Sequence, residues 1–197
     1  MRGRTDVRAF VLAWNLCESD AMPALPDPDC WLSNRVEPRA SGISGEGLFA
    51  TDDIGEGVVI SRLGGRIVSN SALNVMMQSA GDTYIDTVSV FDDGNLVLPA
   101  GTPNHCGNHS CDPNLWWVDP FSLVTRAEIA AGSELTVDYG TLTDDPDFQM
   151  ECRCGAIACR RVITGADWNR PDLQASYGDH WVPVLRKRIA AARRSSD

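Results

Sequence analysis

Apolar positions between Val36 and Tyr139 come in short runs, each cut within a few residues by glycine, proline or an Asp/Asn pair. That texture predicts short strands. Leu48-Phe49-Ala50 follows Gly42, Gly45 and Gly47, and Val58 to Arg62 is rich in β-branched residues. Gly64-Gly65 then turns the chain so that Arg66 to Val68 pairs back. Tyr84 to Val90 alternates, Asp92-Asp93-Gly94-Asn95 reads as a hairpin turn, and Leu96 to Leu98 returns. Leu115 to Val118 and Leu123 to Ala127 flank a turn at Asp119-Pro120, and Leu135 to Tyr139 is the last strand.

Helical texture is confined to the flanks and one insertion. Ala72 to Ala80 carries Ala, Leu, Met and Gln and stops at Gly81. Beyond Cys159, Pro171 suits a first helical turn, Gly178 ends that helix, and Val182 to Arg194 is a second with a basic end. Residues 1–35 predict a short helix and then an irregular arm with Pro23, Pro26 and Pro28, pinned to the core by Trp31 and Leu32. The whole is a mainly β (α+β) chain with helical flanks, its tail docked on the β body.

A length of 197 residues, 43% hydrophobic and 22% charged, fits one domain with extensions or at most two small ones. The net charge of −10 is uneven, because residues 181–197 hold five cations against Asp197, a net +4 that leaves −14 elsewhere. An acidic body repels nucleic-acid phosphates and draws Lys/Arg-rich partners, which argues against direct nucleic-acid binding. Arg2, Arg4 and Arg8 precede an apolar run from Ala9 to Trp14, but Asn15, Glu18 and Asp20 break it without a cleavage site. It reads as a helix or cover segment, not a signal peptide. No stretch approaches the roughly 18 apolar residues of a membrane span. The seven cysteines are odd in number and clustered, unlike a disulfide framework. An intracellular setting with reduced thiols follows, the cytoplasm or, in a eukaryote, the nucleus.

The chemistry concentrates between Asn108 and Cys159. Cys152-x-Cys154-x4-Cys159 offers three thiols, one short of a tetrahedral zinc site, and the nearest free sulfur is Cys111. If Cys111 is the fourth ligand, the tail folds back onto the 108–114 loop with Tyr139 between them. A site from His105, Cys106, His109 and Cys111 would strand the three tail thiols, which could also simply be free. Gly42-x-x-Gly45-Glu46-Gly47 lacks the dinucleotide order and sits between strands. Such a turn can offer bare backbone groups to a flat or zwitterionic cofactor, or be a plain hairpin turn.

Four motifs then occur in order: Gly45-Glu46-Gly47-Leu48-Phe49-Ala50, Asn108-His109-Ser110-Cys111-Asp112-Pro113-Asn114, Glu134-Leu135-Thr136-Val137-Asp138-Tyr139-Gly140, and the Cys-x-Cys-x4-Cys tail. Together, over roughly residues 36 to 163, they resemble the SET-domain protein-lysine methyltransferases with a post-SET zinc segment. The resemblance implies small curved β-sheets with a C-terminal pseudoknot. It divides the chain into a flanking segment 1–35, a SET domain 36–141, a zinc segment 142–165 and a helical extension 166–197. It implies S-adenosylmethionine bound through the backbone of Glu46, Gly47 and Leu48, the side chain of Asn108 and the main chain of His109. Tyr139 matches the active-site tyrosine, Tyr84 a second tyrosine framing the lysine channel, and Cys111, Cys152, Cys154 and Cys159 the ligands of one structural zinc ion. Ile163 or Trp168 would cover the adenine.

Physical chemistry agrees with that set. A lysine amine, with an ordinary pKa of about 10.4, must be neutral to attack a sulfonium methyl, and an apolar channel beside a cation lowers its pKa. The expected function is therefore methyl transfer from S-adenosylmethionine to a lysine of a basic protein. The alternatives are a silent SET-like module that binds basic tails, and a zinc-stapled nucleic-acid binder relying on the basic tail. Two departures stand out. His105-Cys106-Gly107 replaces an Arg-Phe-Ile-like approach, and Val137 stands where the family often has Phe or Tyr. The smaller Val137 leaves room for di- or trimethylation. Asp138 and Glu134 read as structural hydrogen-bonding residues, and Cys17, Cys30 and Cys106 as small buried hydrophobes.

Overall fold

The computed structural model describes residues 25–81 and 83–195. The predicted N-terminal helix and Cys17 lie outside the described residues. Twelve short strands follow: β1 (Trp31–Leu32), β2 (Val36–Ala40), β3 (Glu46–Ala50), β4 (Val59–Arg62), β5 (Arg66–Val68), β6 (Thr87–Phe91), β7 (Gly94–Val97), β8 (Leu115–Trp117), β9 (Ser122–Thr125), β10 (Glu134–Leu135), β11 (Gln149–Glu151) and β12 (Val162–Thr164). Among the described residues three α-helices accompany them: α1 (Asn70–Ala80), α2 (Pro171–Tyr177) and α3 (Pro183–Arg194).

The strands form four small antiparallel sheets, ordered β1-β4-β9-β8, β10-β3-β2, β5-β7-β6 and β11-β12. Arg66 to Val68 was expected to pair back on the strand before it, and it does not. Arg66 lies opposite Val97 in β7, while β4 pairs with β1 and β9. Gly65 explains the divergence. Its φ of +129° suits glycine, and an added Cβ would lie 2.1 Å from the Val97 carbonyl oxygen, so the turn drives the chain into the next sheet.

The predicted strand 84–90 begins only at Thr87, which leaves Tyr84 on an exposed approach loop. The last strand is shorter than expected as well. Beyond β10 the chain keeps a single parallel bridge between His109 and Val137, and residues 139–141 form a 3-10 turn. Asp138 causes the change, its carboxylate accepting the Gly140 N–H at 2.9 Å and capping the turn. Even so, residues 134–137 stay tied to the 108–115 loop. Val137 N–H donates to the Asn108 carbonyl and Ser110 N–H to the Val137 carbonyl, each at 3.1 Å. Asn114 bonds both the Thr136 N–H and the Glu134 carbonyl at 2.8 Å.

The core runs from Leu48, Ile60 and Leu96 through Trp117 and Leu135 to Trp181, Leu185 and Ile189. The C-terminal helices are thus built into it, as the docked tail predicted. Each buried Leu or Ile of α3 contributes about 1.5–3 kcal/mol of apolar transfer. α1 is a surface helix that buries only Leu73 and is capped by the Ser69 hydroxyl, which accepts the Ala72 N–H.

Candidate active site

Besides Asn114, two side chains hold the 108–115 loop against residues 134–139. Asn108 donates its amide to the Ser44 and Glu46 carbonyls at 3.1 and 3.0 Å and to Glu134 Oε1 at 2.8 Å. This joins the glycine turn, the Asn-His segment and β10. Glu134 also accepts the Ser41 hydroxyl at 2.8 Å. An added Cβ at Gly47 would lie 2.1 Å from Glu134 Oε1, so any larger residue there displaces that carboxylate. His109 is buried and its Nδ1 accepts the Tyr139 N–H at 3.1 Å. Burial, chiefly, pushes the imidazole down to about 4 despite nearby Asp138, so the ring is neutral and can accept that bond.

The phenol of Tyr139 donates to the Gly107 carbonyl at 2.8 Å. Burial first, then the nearby Tyr84 and Asp86, raise its pKa and keep it protonated. Tyr139 also walls two separate cavities. One, of about 260 Å³, is lined by Tyr84, Asp86, His105, Val137, Trp117 and Leu48 among others. The other, of about 240 Å³, is lined by Ile43, Ser44, Asn108, His109, Tyr139, Met150, Glu151 and Arg153.

These two spaces sort the residues named from sequence. Asn108, His109 and Tyr139 line the smaller cavity, while Leu48, Tyr84, Val137 and again Tyr139 line the larger. Glu46 and Gly47 form the turn behind Asn108 and line neither. Ile163 is completely buried opposite Met150 in the β11–β12 pair, and Trp168 is half-buried against the core. Neither lines either of these two cavities. Sequence reasoning missed Met150, Glu151 and Arg153, whose only signal was their place just before and between the first tail thiols.

Those thiols converge. The sulfurs of Cys111, Cys152, Cys154 and Cys159 all lie within 4.8 Å of one another. A tetrahedron of sulfurs each about 2.3 Å from zinc has edges of about 3.8 Å, and Cys111 and Cys152 are 3.7 Å apart. Backbone N–H groups also point at sulfur, Cys111 to Cys154, Arg160 to Cys111 and Arg161 to Cys159, at 3.3–3.4 Å. Such donors stabilise thiolates. Against burial, the N–H groups of Cys111 and Ala156 bring Cys154 down to about 6. The left-handed Arg161, with φ of 68°, bends the chain to make this nest. All-sulfur donors in this array fit a structural zinc ion. Cys30 and Cys106 stand outside the cluster.

A buried ionic knot locks this tail down. Arg160 donates from both terminal nitrogens to Asp138 at 2.6 Å, and its Nε lies 3.2 Å from Asp167. Tyr177 of α2 donates its hydroxyl to the same Asp138 at 2.8 Å. One carboxylate thus joins the 134–139 segment, the cysteine tail and the C-terminal helices. Burial works against the Arg160 charge, but Asp138 and Asp167 outweigh it.

Comparison with known proteins agrees with this geometry. The SET domain family matches residues 45–140. The histone-lysine N-methyltransferase SUV39H1-A of Danio rerio is 30% identical over 186 residues, which cover 69% of this chain and 44% of the relative. The histone-lysine N-methyltransferase ash1 of Drosophila melanogaster is 31% identical over 142 residues, 66% of this chain and 6% of the relative. The chain thus spans less than half the length of either. Among solved structures, the methyltransferase domain of human histone-lysine N-methyltransferase SETMAR aligns with a TM-score of 0.54 at 22% identity, covering 67% of this chain and 58% of that one. That last likeness supports the fold.

Proposed function

Because the chain belongs to the SET-domain family, we propose that it is an S-adenosylmethionine-dependent protein-lysine N-methyltransferase acting on a basic protein segment. The observation that carries this reading is Tyr139, one phenol walling both cavities, so that a donor on one side and an acceptor on the other meet at it.

The smaller cavity suits the cofactor. Arg153 offers a cation to a carboxylate, Glu151 an acceptor to an amine or hydroxyl, and the Asn108–Ser44–Glu46 bonds hold the backbone turn against it. S-adenosylmethionine, when bound, supplies the electrophilic sulfonium methyl. The apolar walls Leu48, Val137, Leu135 and Trp117 of the larger cavity desolvate a lysine side chain and disfavour its charged form. Tyr139, protonated and fixed on Gly107, orients the amine through its oxygen. The four-cysteine cluster would hold zinc, whose part is to pin the tail carrying Met150, Glu151 and Arg153 beside the Asn-His loop. The −14 body suits a Lys/Arg-rich substrate better than nucleic acid.

The test is methyl transfer from labelled S-adenosylmethionine to unfractionated core histones, with Tyr139→Phe alongside. The variant is expected to bind the cofactor within about threefold of wild type while kcat falls about a hundredfold or more. A wild-type chain that does not bind the cofactor would remove the proposal.

A further inference from the structure

The His105-Cys106-Gly107 segment, which departs from the family pattern, places an imidazole in the wall of the Tyr139 cavity. We propose that Asp86 and His105 form the proton acceptor for the substrate lysine, a carboxylate–imidazole pair built into that wall. This rests on the methyltransferase reading and assigns its deprotonation step.

The hydrogen bonds of the ring carry the argument. His105 Nδ1 is 2.7 Å from Asp86 Oδ2, and Nε2 is 2.8 Å from the Pro99 carbonyl oxygen. A carbonyl oxygen only accepts, so Nε2 carries a proton. The short contact at Nδ1 needs a proton too, on the ring or on the carboxyl. At rest the pair therefore holds one exchangeable proton and is neutral overall. Burial, before the opposing pull of His105 and the Thr87 N–H, lifts the Asp86 carboxyl above its ordinary value, which favours sharing that proton.

Placement fits the task. Both residues line the cavity with Tyr84 and Tyr139, and both keep about a fifth to a quarter of the side chain exposed, a path for protons to solvent. His105 is two residues from Gly107, whose carbonyl holds the Tyr139 hydroxyl. Two residues of chain span at most about 7 Å. Asp86 is fixed by its own carbonyl, which accepts the Leu98 N–H at 3.1 Å. Tyr84 and Tyr139 face the pair, and Asp145 lines the same cavity. On the strands packed against the 103–106 turn, Glu37 is paired with Arg39, and Glu46 lies by Cys106.

The step balances as follows. An entering ammonium takes the imidazolium's place on the one carboxylate and the displaced ring proton goes to solvent, while the apolar cavity walls lower the ammonium's own pKa so that the pair can take its proton. A carboxylate beside a neutral imidazole is then a base. One ammonium N–H bond breaks, its electron pair stays on the amine nitrogen, and the proton passes to Asp86 and on to His105 Nδ1. The pair returns to its resting state, and the neutral amine faces Tyr139.

Asp86→Asn and His105→Gln in the full chain test this, with kcat and KM on core histones measured from pH 6.5 to 10. Each variant should lose about ten- to a hundredfold in kcat near pH 7.5, keep its cofactor Kd within about twofold, and regain activity toward pH 10, where bulk water deprotonates lysine. A pH profile parallel to wild type, or an unchanged kcat, overturns the assignment. Should the variants misfold, wild-type calorimetry in buffers of differing ionisation heat reads the proton. Adding a lysine-rich histone peptide to the cofactor-product complex should release about one proton, and a norleucine peptide none. Equal release overturns the proposal. A wild type that neither binds cofactor nor transfers methyl removes the methyltransferase reading itself, whereas an active wild type with unaltered variants removes only the dyad.

Discussion

Replacing Asp138 by Asn should destabilise the chain far more than loss of one surface ion pair. The isosteric amide keeps the shape but removes the charge from a side chain only 1% exposed. It leaves one oxygen where the carboxylate served both Arg160 nitrogens, the Tyr177 hydroxyl and the Gly140 N–H. Breaking a buried pair this way costs about 3–5 kcal/mol. Arg160 keeps Asp167 at 3.2 Å, so the lower end, about 3 kcal/mol, applies. At about 2–4 °C per kcal/mol for a chain of this size, the melting temperature should fall by about 6–12 °C. Differential scanning calorimetry of Asp138→Asn, Arg160→Met and the double variant reads this directly. The double variant should lose well under the sum of the two single losses, because the guanidinium that Asp138→Asn strands is gone and only the Asp167 carboxylate, held by the Thr164 hydroxyl at 3.1 Å, is left without its cation. A fall under about 2 °C for the single variant, or additive losses in the double, would refute the reasoning.

Three further outcomes follow. Gly47→Ala forces Glu134 away from Asn108 and Ser41, so it should cost about 1–3 kcal/mol of stability by thermal melt and weaken cofactor binding more than tenfold by calorimetry. Cys111→Ser, or prolonged chelation, should lower metal content from one zinc per chain by elemental analysis and cut cofactor binding through the detached Met150–Arg153 rim, with full binding after metal loss counting against it. Val137→Phe fills the larger cavity, so mass spectrometry should find its product shifted toward monomethyl-lysine relative to wild type; an unchanged distribution would place the size limit elsewhere.

The cysteine site was readable because three thiols at short spacing need a fourth and few candidates existed. The β texture was readable because its signals, turn glycines and β-branched runs, are local. What escaped were pairings set by the third dimension. Gly65 announces a turn, but only the neighbouring Val97 decides that β5 joins β7. Asp138 looked structural from sequence, yet its partners Arg160 and Tyr177 lie 22 and 39 residues away, beyond any periodicity. The Asp86–His105 contact is likewise silent in one dimension. Asn108 stands in the matched motif and lines the smaller cavity, and its amide nitrogen also braces the turn through Ser44, Glu46 and Glu134, partners that no motif announces.

The two cavities share Tyr139 but have exposed rims of their own, Tyr84 and Asp145 on one, Ser44, Glu151 and Arg153 on the other. Under the proposed function, separate entrances would let a spent donor leave and a fresh one arrive while the acceptor chain stays seated. Successive methyl groups could then be added in one encounter, and residence time on the protein substrate, not the number of collisions, would set how far each lysine is modified.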